Sequence, residues 1–330
     1  MLVVQILQGR SSHTAKLNAS RRGQGGKSAG KIATAMHTSR TVFNDYVSSL
    51  KLPISLLNVF VGIAAIFLAL GMKAPIEIIV LTSLCGFFAA GGAGAVNCYV
   101  DRELDRHMTR TQARPIPSGR VPPLNILALG IGFSFLGVAL AAAYLNVLTS
   151  LLIGLGIFWY IFVYTLWLKP RTKWNIVIGG AAGSFSALAG WSAATGTLSV
   201  VGALIAALIF LWTPGHFWGL AIARAKDYEE GDIPMLPVVE GQARASLYTA
   251  LSNVLLFPFT IALYFMTVSW TSVLAAVLVG LSIVVLNVRF VAANIRLSKL
   301  HDAPNAWRVF KMSASYLFIM LCLVVLGHLA

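Results

Sequence analysis

The sequence predicts an all-α protein that crosses a membrane about nine times. Hydrophobic residues make up 58% of the 330-residue chain and charged residues only 11%. Long stretches, such as residues 124–168, contain no Asp, Glu, Lys or Arg. A helix of about 20 such residues crosses the ~30 Å hydrocarbon core and satisfies its own backbone hydrogen bonds. Strands of a barrel would alternate apolar and polar residues, and these stretches do not.

The nine predicted spans are separated by short polar loops. They are centred in residues 52–71, 76–99, 124–143, 147–168, 175–195, 198–222, 246–268, 271–292 and 312–329. If the intervening segments alternate between two sides, all but one of the 25 Lys and Arg residues fall on the same side, and the exception is Lys73. The positive-inside rule then places the N-terminus on the cytoplasmic or matrix face and the C-terminus on the other face. The net charge of +14 therefore indicates topology, and no nucleic-acid partner is expected.

The N-terminal residues differ in composition from the rest of the chain. Residues 1–44 are rich in Ser, Gly, Lys and Arg and contain no Asp or Glu. We interpret them as a basic, flexible tail before a transmembrane domain at residues 45–330. Such a tail is typical of a prokaryotic cell-membrane protein with cytoplasmic loops. A mitochondrial transit peptide, with loops facing the matrix, is the alternative.

The acidic residues are concentrated in two loops. Of 11 in the chain, seven follow the second and the sixth predicted spans: Asp101, Glu103 and Asp105, then Asp227, Glu229, Glu230 and Asp232. Both loops belong to the same predicted face and are four helices apart. This spacing suggests two similar four-helix halves that bring the loops together.

Asn97, Asp101 and Asp105 are spaced four residues apart, so on a helix they form one stripe of oxygen-bearing side chains. Such oxygens suit Mg²⁺, which commonly bridges protein carboxylates to substrate phosphates. Nearby arginines match phosphate geometry. The alternative is that these charges only pair with one another in a solvated loop. Two such loops on one face favour a divalent cation, a polyanion and an apolar cavity beneath, which together fit a prenyl diphosphate.

Four motifs carry a resemblance to a known family. The first motif of the UbiA superfamily of intramembrane prenyltransferases is resembled by Asn97, Asp101 and Asp105, followed by the sequences MTRT and RP. The stretch KDYEEGDIPMLPVVEG (226–241) resembles that superfamily's haem O synthase branch, and so do LKPRTKWNIVIGGAAGSF and FLWTPGHFWGLAI. The resemblance covers residues 45–245. The sequence departs from the pattern at three places. Gly231 stands where the superfamily has a second Asp, and Gly215 stands where a second Pro usually precedes the His. Ser186-Ala187 stands where Pro-Pro is usual.

The resemblance implies a UbiA-type prenyltransferase bundle and a specific reaction. A farnesyl group would pass from farnesyl diphosphate to a vinyl group of haem B, with addition of water, giving haem O for respiratory terminal oxidases. Mg²⁺ would be held by Asn97, Asp101, Asp105 and Asp227. Haem A synthase and oxidase assembly proteins are the implied protein partners, with the lipid bilayer around the chain. The nearest alternative is a UbiA-type enzyme whose acceptor is an aromatic quinone precursor.

Five basic residues are candidates for anion binding: Arg110 and Arg114 for the diphosphate, and Lys169, Arg171 and Lys226 for the diphosphate or the haem propionates. The alternative for each is an ordinary positive-inside residue.

His216 is the remaining candidate. It lies 11 residues before Asp227, about 16 Å along a helix, and thus inside the apolar layer. An ionisable residue there suggests function, either as a ligand of haem iron or in proton transfer. The alternative is a histidine bonded to a polar group of a neighbouring helix.

Two other classes of protein are alternatives to an enzyme. A transporter or channel would place its acidic residues near the bilayer midplane, whereas these lie at helix ends on one face. A purely structural assembly factor would not depend on Asp101.

Overall fold

The computed structural model describes residues 42–330, which contain helices and loops and no strand. The described residues belong to two units, residues 42–47 and residues 48–330. The described residues of the first unit are helical. Apart from its last three residues, the tail predicted at 1–44 lies outside the described part, so its boundary and character stay predictions.

Nine helices within residues 42–330 are long and apolar enough to cross a membrane, which confirms the predicted fold class and the number of spans. Spans 1 to 9 run over Leu52–Lys73, Ile76–Val100, Pro123–Tyr144, Val147–Leu168, Asn175–Thr195, Val200–Ala223, Leu236–Thr267, Val273–Leu300 and Ala303–Leu329. Two short helices, Arg102–His107 and Ala225–Glu230, follow spans 2 and 6. The orientation of the spans in a membrane stays a prediction.

Three predicted boundaries are wrong by several residues. Span 7 begins at Leu236 rather than near 246, span 8 continues to Leu300 rather than 292, and span 9 begins at Ala303 rather than 312. These extensions contain charged residues such as Arg244, Arg296 and Arg308. Hydropathy detects only the part of a helix that matches the bilayer, so a helix that continues past the apolar layer is predicted too short.

The spans pack closely where small residues meet. Each span packs against the next one in the chain, and further contacts join span 1 to span 5 and span 6 to span 9. A Cβ added to Gly190 of span 5 would lie 2.3 Å from the carbonyl oxygen of Gly62 in span 1. A Cβ at Gly92 of span 2 would lie 2.5 Å from the backbone nitrogen of Ser134 in span 3. Such close backbone approach is how helices associate in lipid, where apolar burial gives little driving force.

The two acidic loops lie against each other, as the sequence predicted. Met108 of the first loop packs with Tyr228, Ile233 and Met235 of the second. A Cβ on Gly231 would lie 3.2 Å from Cγ of Met108. Glycine therefore gives Met108 room at the position where the superfamily has its second Asp.

Candidate functional site

Asn97, Asp101 and Asp105 form a continuous stripe at the end of span 2. The backbone nitrogen of Asp101 donates to the carbonyl of Asn97 at 2.9 Å, and that of Asp105 donates to the carbonyl of Asp101 at 2.8 Å. Helical hydrogen bonding thus continues past Val100, where span 2 ends, and keeps the three residues in register. All three are buried, with at most 3% of their surface exposed. Charged side chains are rarely buried to this degree without partners.

Each member of the stripe is paired with a different cation. Lys51, just before span 1, donates to Oδ1 of Asn97. Lys169, just after span 4, lies 2.5 Å from Oδ2 of Asp101. Arg114, from the first acidic loop, lies 2.6 Å from Oδ2 of Asp105. Burial alone would lower the pKa of Arg114, but the Asp105 carboxylate holds that pKa above its ordinary value.

An irregular turn in span 4 brings two further groups to the stripe. From Trp159 to Leu168 the helix changes from α to π geometry, and the backbone nitrogen of Lys169 donates to the carbonyl of Tyr164, five residues back, at 2.9 Å. Nδ2 of Asn97 donates to Oγ1 of Thr165 at 3.0 Å. Lys169 follows directly after this segment. π-helical segments are rare and often mark functional sites.

The second loop contributes a buried carboxylate and a tyrosine. Asp227 is 8% exposed and lies in the short helix Ala225–Glu230 beside Tyr228. Arg110 makes a hydrogen bond to the Tyr228 side chain. Burial raises the pKa of Tyr228 above its ordinary value, although the neighbouring Arg110 and Arg114 act in the opposite direction. Arg110, Arg114 and Asp227 are therefore brought to one tyrosine that bridges the two loops.

The donor set fits a hard cation in type. Oδ1 of Asp101 and Oδ2 of Asp227 are both buried, and neither finds a hydrogen-bond partner within residues 42–330. An orphaned carboxylate oxygen is costly unless something binds it. No three His, Cys, Asp or Glu side chains in that part of the chain already converge on one point. Lys169 and Arg114 each occupy one oxygen of Asp101 and Asp105, and Lys51 occupies the amide oxygen of Asn97. A bound cation with its anion would therefore have to exchange these contacts.

Two predicted anion ligands are not brought to the stripe. Nη1 of Arg171 donates to the carbonyls of Leu166 and Trp167 at 3.0 and 2.9 Å and so caps the end of span 4. The Lys226 side chain is 86% exposed and lies 3.8 Å from Glu230. These contacts give no support to a diphosphate role for either residue. That role was inferred from charge and loop position alone.

His216 faces span 9 rather than the acidic stripe. Its ring stacks on Trp212 at 4.3 Å and on Phe310 at 4.5 Å between centroids, and Nδ1 lies 2.5 Å from Oγ of Ser313. Trp212 also donates to the carbonyl of Ser313, at 2.9 Å. The bond to a neighbouring helix is the alternative that the sequence left open. These contacts give no support to the haem role that the sequence also suggested for His216.

We expect His216→Ala to act mainly on stability. The substitution removes a ring packed between two aromatic side chains and one of the two hydrogen-bond partners of the Ser313 hydroxyl, so the thermal unfolding midpoint in detergent should fall by several degrees. The absorption spectrum of added haem should stay as in the unsubstituted protein. An altered haem spectrum together with an unchanged midpoint would instead support ligation of haem iron.

The sequence did not single out Lys51, Thr165 or the tyrosines of span 4. Tyr160 lies 3.5 Å from the Lys51 amine and stacks with Tyr164. Lys51 counted only as one of many positive-inside residues. Its place directly before span 1, on the same predicted face as the acidic loops, was the one available signal.

These features define a multi-spanning membrane protein in which buried acidic and basic side chains meet at the ends of its helices. The family model for the UbiA prenyltransferase family matches residues 57–326. The chain belongs to that family, and it is a prenyltransferase by that membership.

Two relatives that are at least 40% identical to this chain are both named protohaem IX farnesyltransferase. A protohaem IX farnesyltransferase from Acidiphilium cryptum is 40% identical over 295 residues, which cover 86% of this chain and 90% of the relative. Protohaem IX farnesyltransferase 1 from Cenarchaeum symbiosum is 43% identical over 241 residues, 73% of this chain and 79% of the relative. These names favour the haem branch over the quinone-precursor alternative.

Solved structures of UbiA homologues have a fold similar to that of this chain. A UbiA homologue from Archaeoglobus fulgidus bound to GPP and Mg²⁺ has a TM-score of 0.61 at 18% identity and covers 85% of this chain and 99% of its own. The apo structure of a UbiA homologue from Aeropyrum pernix has a TM-score of 0.57 at 21% identity, covering 82% of this chain and 96% of its own. At these identities the likeness concerns the fold alone.

Proposed function

We propose that the chain transfers the farnesyl group of farnesyl diphosphate to a vinyl group of haem B, with addition of water, to give haem O. The observation that carries the prenyl transfer is the buried stripe of Asn97, Asp101 and Asp105 with its three cations. The identity of the acceptor rests on the relatives named protohaem IX farnesyltransferase.

Asn97, Asp101, Asp105 and Asp227 are the residues that would hold Mg²⁺. The chemistry that Mg²⁺ supplies when bound is neutralisation of the diphosphate as negative charge develops on the leaving group. The orphaned oxygens of Asp101 and Asp227 support their assignment as ligands.

Lys51, Lys169 and Arg114 would bind and orient the diphosphate. Each already makes a charge-assisted contact to the stripe, so each amine or guanidinium lies within one side-chain movement of an anion placed beside it. Fixed donors of this kind stabilise developing charge without reorganising at the moment of reaction. Arg110 and Tyr228 would border the same anion from the second loop. No strong nucleophile is needed, because the vinyl group is electron-rich and the site has only to hold both substrates together and exclude water.

We also propose that these loops face the cytoplasm of a prokaryotic cell. Nearly all Lys and Arg residues share their side, which fits the cytoplasmic or the matrix face, and the bacterial relative favours a prokaryotic cell. Contacts with haem A synthase or oxidase assembly proteins stay a prediction.

The decisive experiment uses the purified protein with Mg²⁺, farnesyl diphosphate and haem B, and measures the masses of the pigments. We expect a haem that carries one farnesyl group and one added water. If diphosphate is released only when an aromatic quinone precursor replaces haem B, the prenyltransferase assignment stands and the haem acceptor is wrong.

A further inference from the structure

A second ion pair joins the loop after span 4 to the start of span 7. Nζ of Lys173 donates to Oε1 of Glu240, and Oε2 of Glu240 accepts a hydrogen bond of 2.7 Å from Arg244. The Glu240 side chain is only 16% exposed and that of Lys173 28%, whereas that of Arg244 is 72% exposed. Exposed pairs contribute little, so the sheltered Lys173–Glu240 pair is the more consequential of the two.

On one side, this pair is tied to the residue that contacts Asp101. Lys173 lies four residues after Lys169 in a compact segment. The backbone nitrogen of Arg171 donates to the carbonyl of Leu168 at 3.0 Å, and that of Asn175 donates to the carbonyl of Thr172 at 3.2 Å. Because these hydrogen-bonded turns limit the backbone movement between the two lysines, a restraint on Lys173 also restrains the backbone of Lys169.

On the other side, the pair is tied to the loop of Asp227. Glu240 ends the first turn of span 7, which follows that loop through the buried residues Ile233, Met235 and Leu236. Directly after Glu240, the helix is interrupted at Gly241, with φ 79° and ψ 165°. Only glycine adopts this conformation readily. The first turn is thus not held by continuous helical hydrogen bonding to the rest of span 7, and Glu240 supplies an anchor of its own.

We infer that Lys173 and Glu240 are positioning residues for the diphosphate site. Their ion pair sets the placement of Lys169 relative to Asp227, two groups that come from different loops, one proposed to bind the diphosphate and the other its Mg²⁺. The pair acts through Lys169 and the Asp227 loop, and its own described contacts are with Arg244 and the Trp174 ring. This inference rests on the proposed function and extends it to the residues that hold the two loops in register.

The test measures binding of farnesyl thiodiphosphate, a poorly reactive diphosphate analogue, in the presence of Mg²⁺. Binding is followed by calorimetry on the full chain in detergent. Lys173→Met and Glu240→Gln should each weaken binding about tenfold, and the double variant should be no weaker than either single variant, because both remove one shared interaction. Lys173→Arg should restore binding, since it keeps the charge and the donors.

Arg244→Met is the matched control, because it removes the exposed partner of the same carboxylate and should leave binding unchanged. Unchanged binding in both single variants, or losses that add in the double variant, would overturn the inference. The measurement needs no acceptor. An unsubstituted protein that binds the analogue but makes no farnesylated haem would contradict the proposed acceptor, and the comparison among variants would still decide the role of the pair.

Discussion

Asp101→Asn and Asp227→Asn are each expected to lower turnover by about 10³-fold or more. Both side chains are buried, and each has an oxygen without a hydrogen-bond partner in the described chain. An amide keeps the size of the side chain but supplies one neutral oxygen in place of a charged pair, so it binds a divalent cation poorly. Asp101→Asn also removes the charge opposite Lys169. The readout is the rate of diphosphate release at saturating substrates.

Two exposed acids in the same loops serve as matched controls. Glu103→Gln and Glu229→Gln change the charge of each loop by the same amount, and both should retain most of the activity. Thermal unfolding of all four variants separates lost chemistry from lost folding. Substantial turnover in both Asp variants, with unchanged unfolding curves, would contradict the proposed metal site.

Lys51→Met is expected to reduce kcat/KM for farnesyl diphosphate by about 10²-fold, comparable to the loss of one donor that stabilises developing charge. Lys51 reaches the stripe from a residue with φ 51°. Methionine has nearly the same length and suffers the same backbone strain there, so the substitution tests the amine. Steady-state kinetics with farnesyl diphosphate varied at fixed haem B provide the measurement.

Lys226→Met is the control for this prediction, because its amine is exposed and its described contact is with Glu230. We expect its kinetics to match those of the unsubstituted protein. Equal kinetics for Lys51→Met and the unsubstituted protein would leave Lys51 with a purely structural bond to Asn97.

Much of the fold follows from the sequence because lipid is a simple solvent. Uncharged runs such as residues 124–168 have one stable solution in a bilayer, so the number of spans is predictable from hydropathy. The ends of spans 7 to 9 are not, since helical hydrogen bonding continues into charged sequence wherever tertiary packing supports it. The break at Gly241 was also missed, because an isolated glycine in an apolar pattern is compatible with a continuous helix.

The acidic half of the site was predictable, and the basic half only in part, since Arg114 and Lys169 were expected to bind an anion and Lys51 was not. Four-residue spacing alone places Asn97, Asp101 and Asp105 on one stripe, and the structure keeps that stripe intact. Cations on this face are numerous and alike in sequence. Lys169 contacts Asp101, yet Arg171, two residues later, caps a helix end. Which of them turns inward depends on backbone geometry around them, and spacing carries no information about it.

Because span 4 contains a π-helical segment, the orientation of the site residues after it depends on the number of residues in that segment. A residue removed between Trp159 and Leu168, with the helical geometry otherwise kept, would rotate everything after it by roughly a quarter of a turn around the axis. Thr165 and Lys169 would then turn away from Asn97 and Asp101. We therefore expect this segment to tolerate exchange of one apolar side chain for another far better than an insertion or a deletion. Both kinds of change leave the hydropathy of the segment nearly the same.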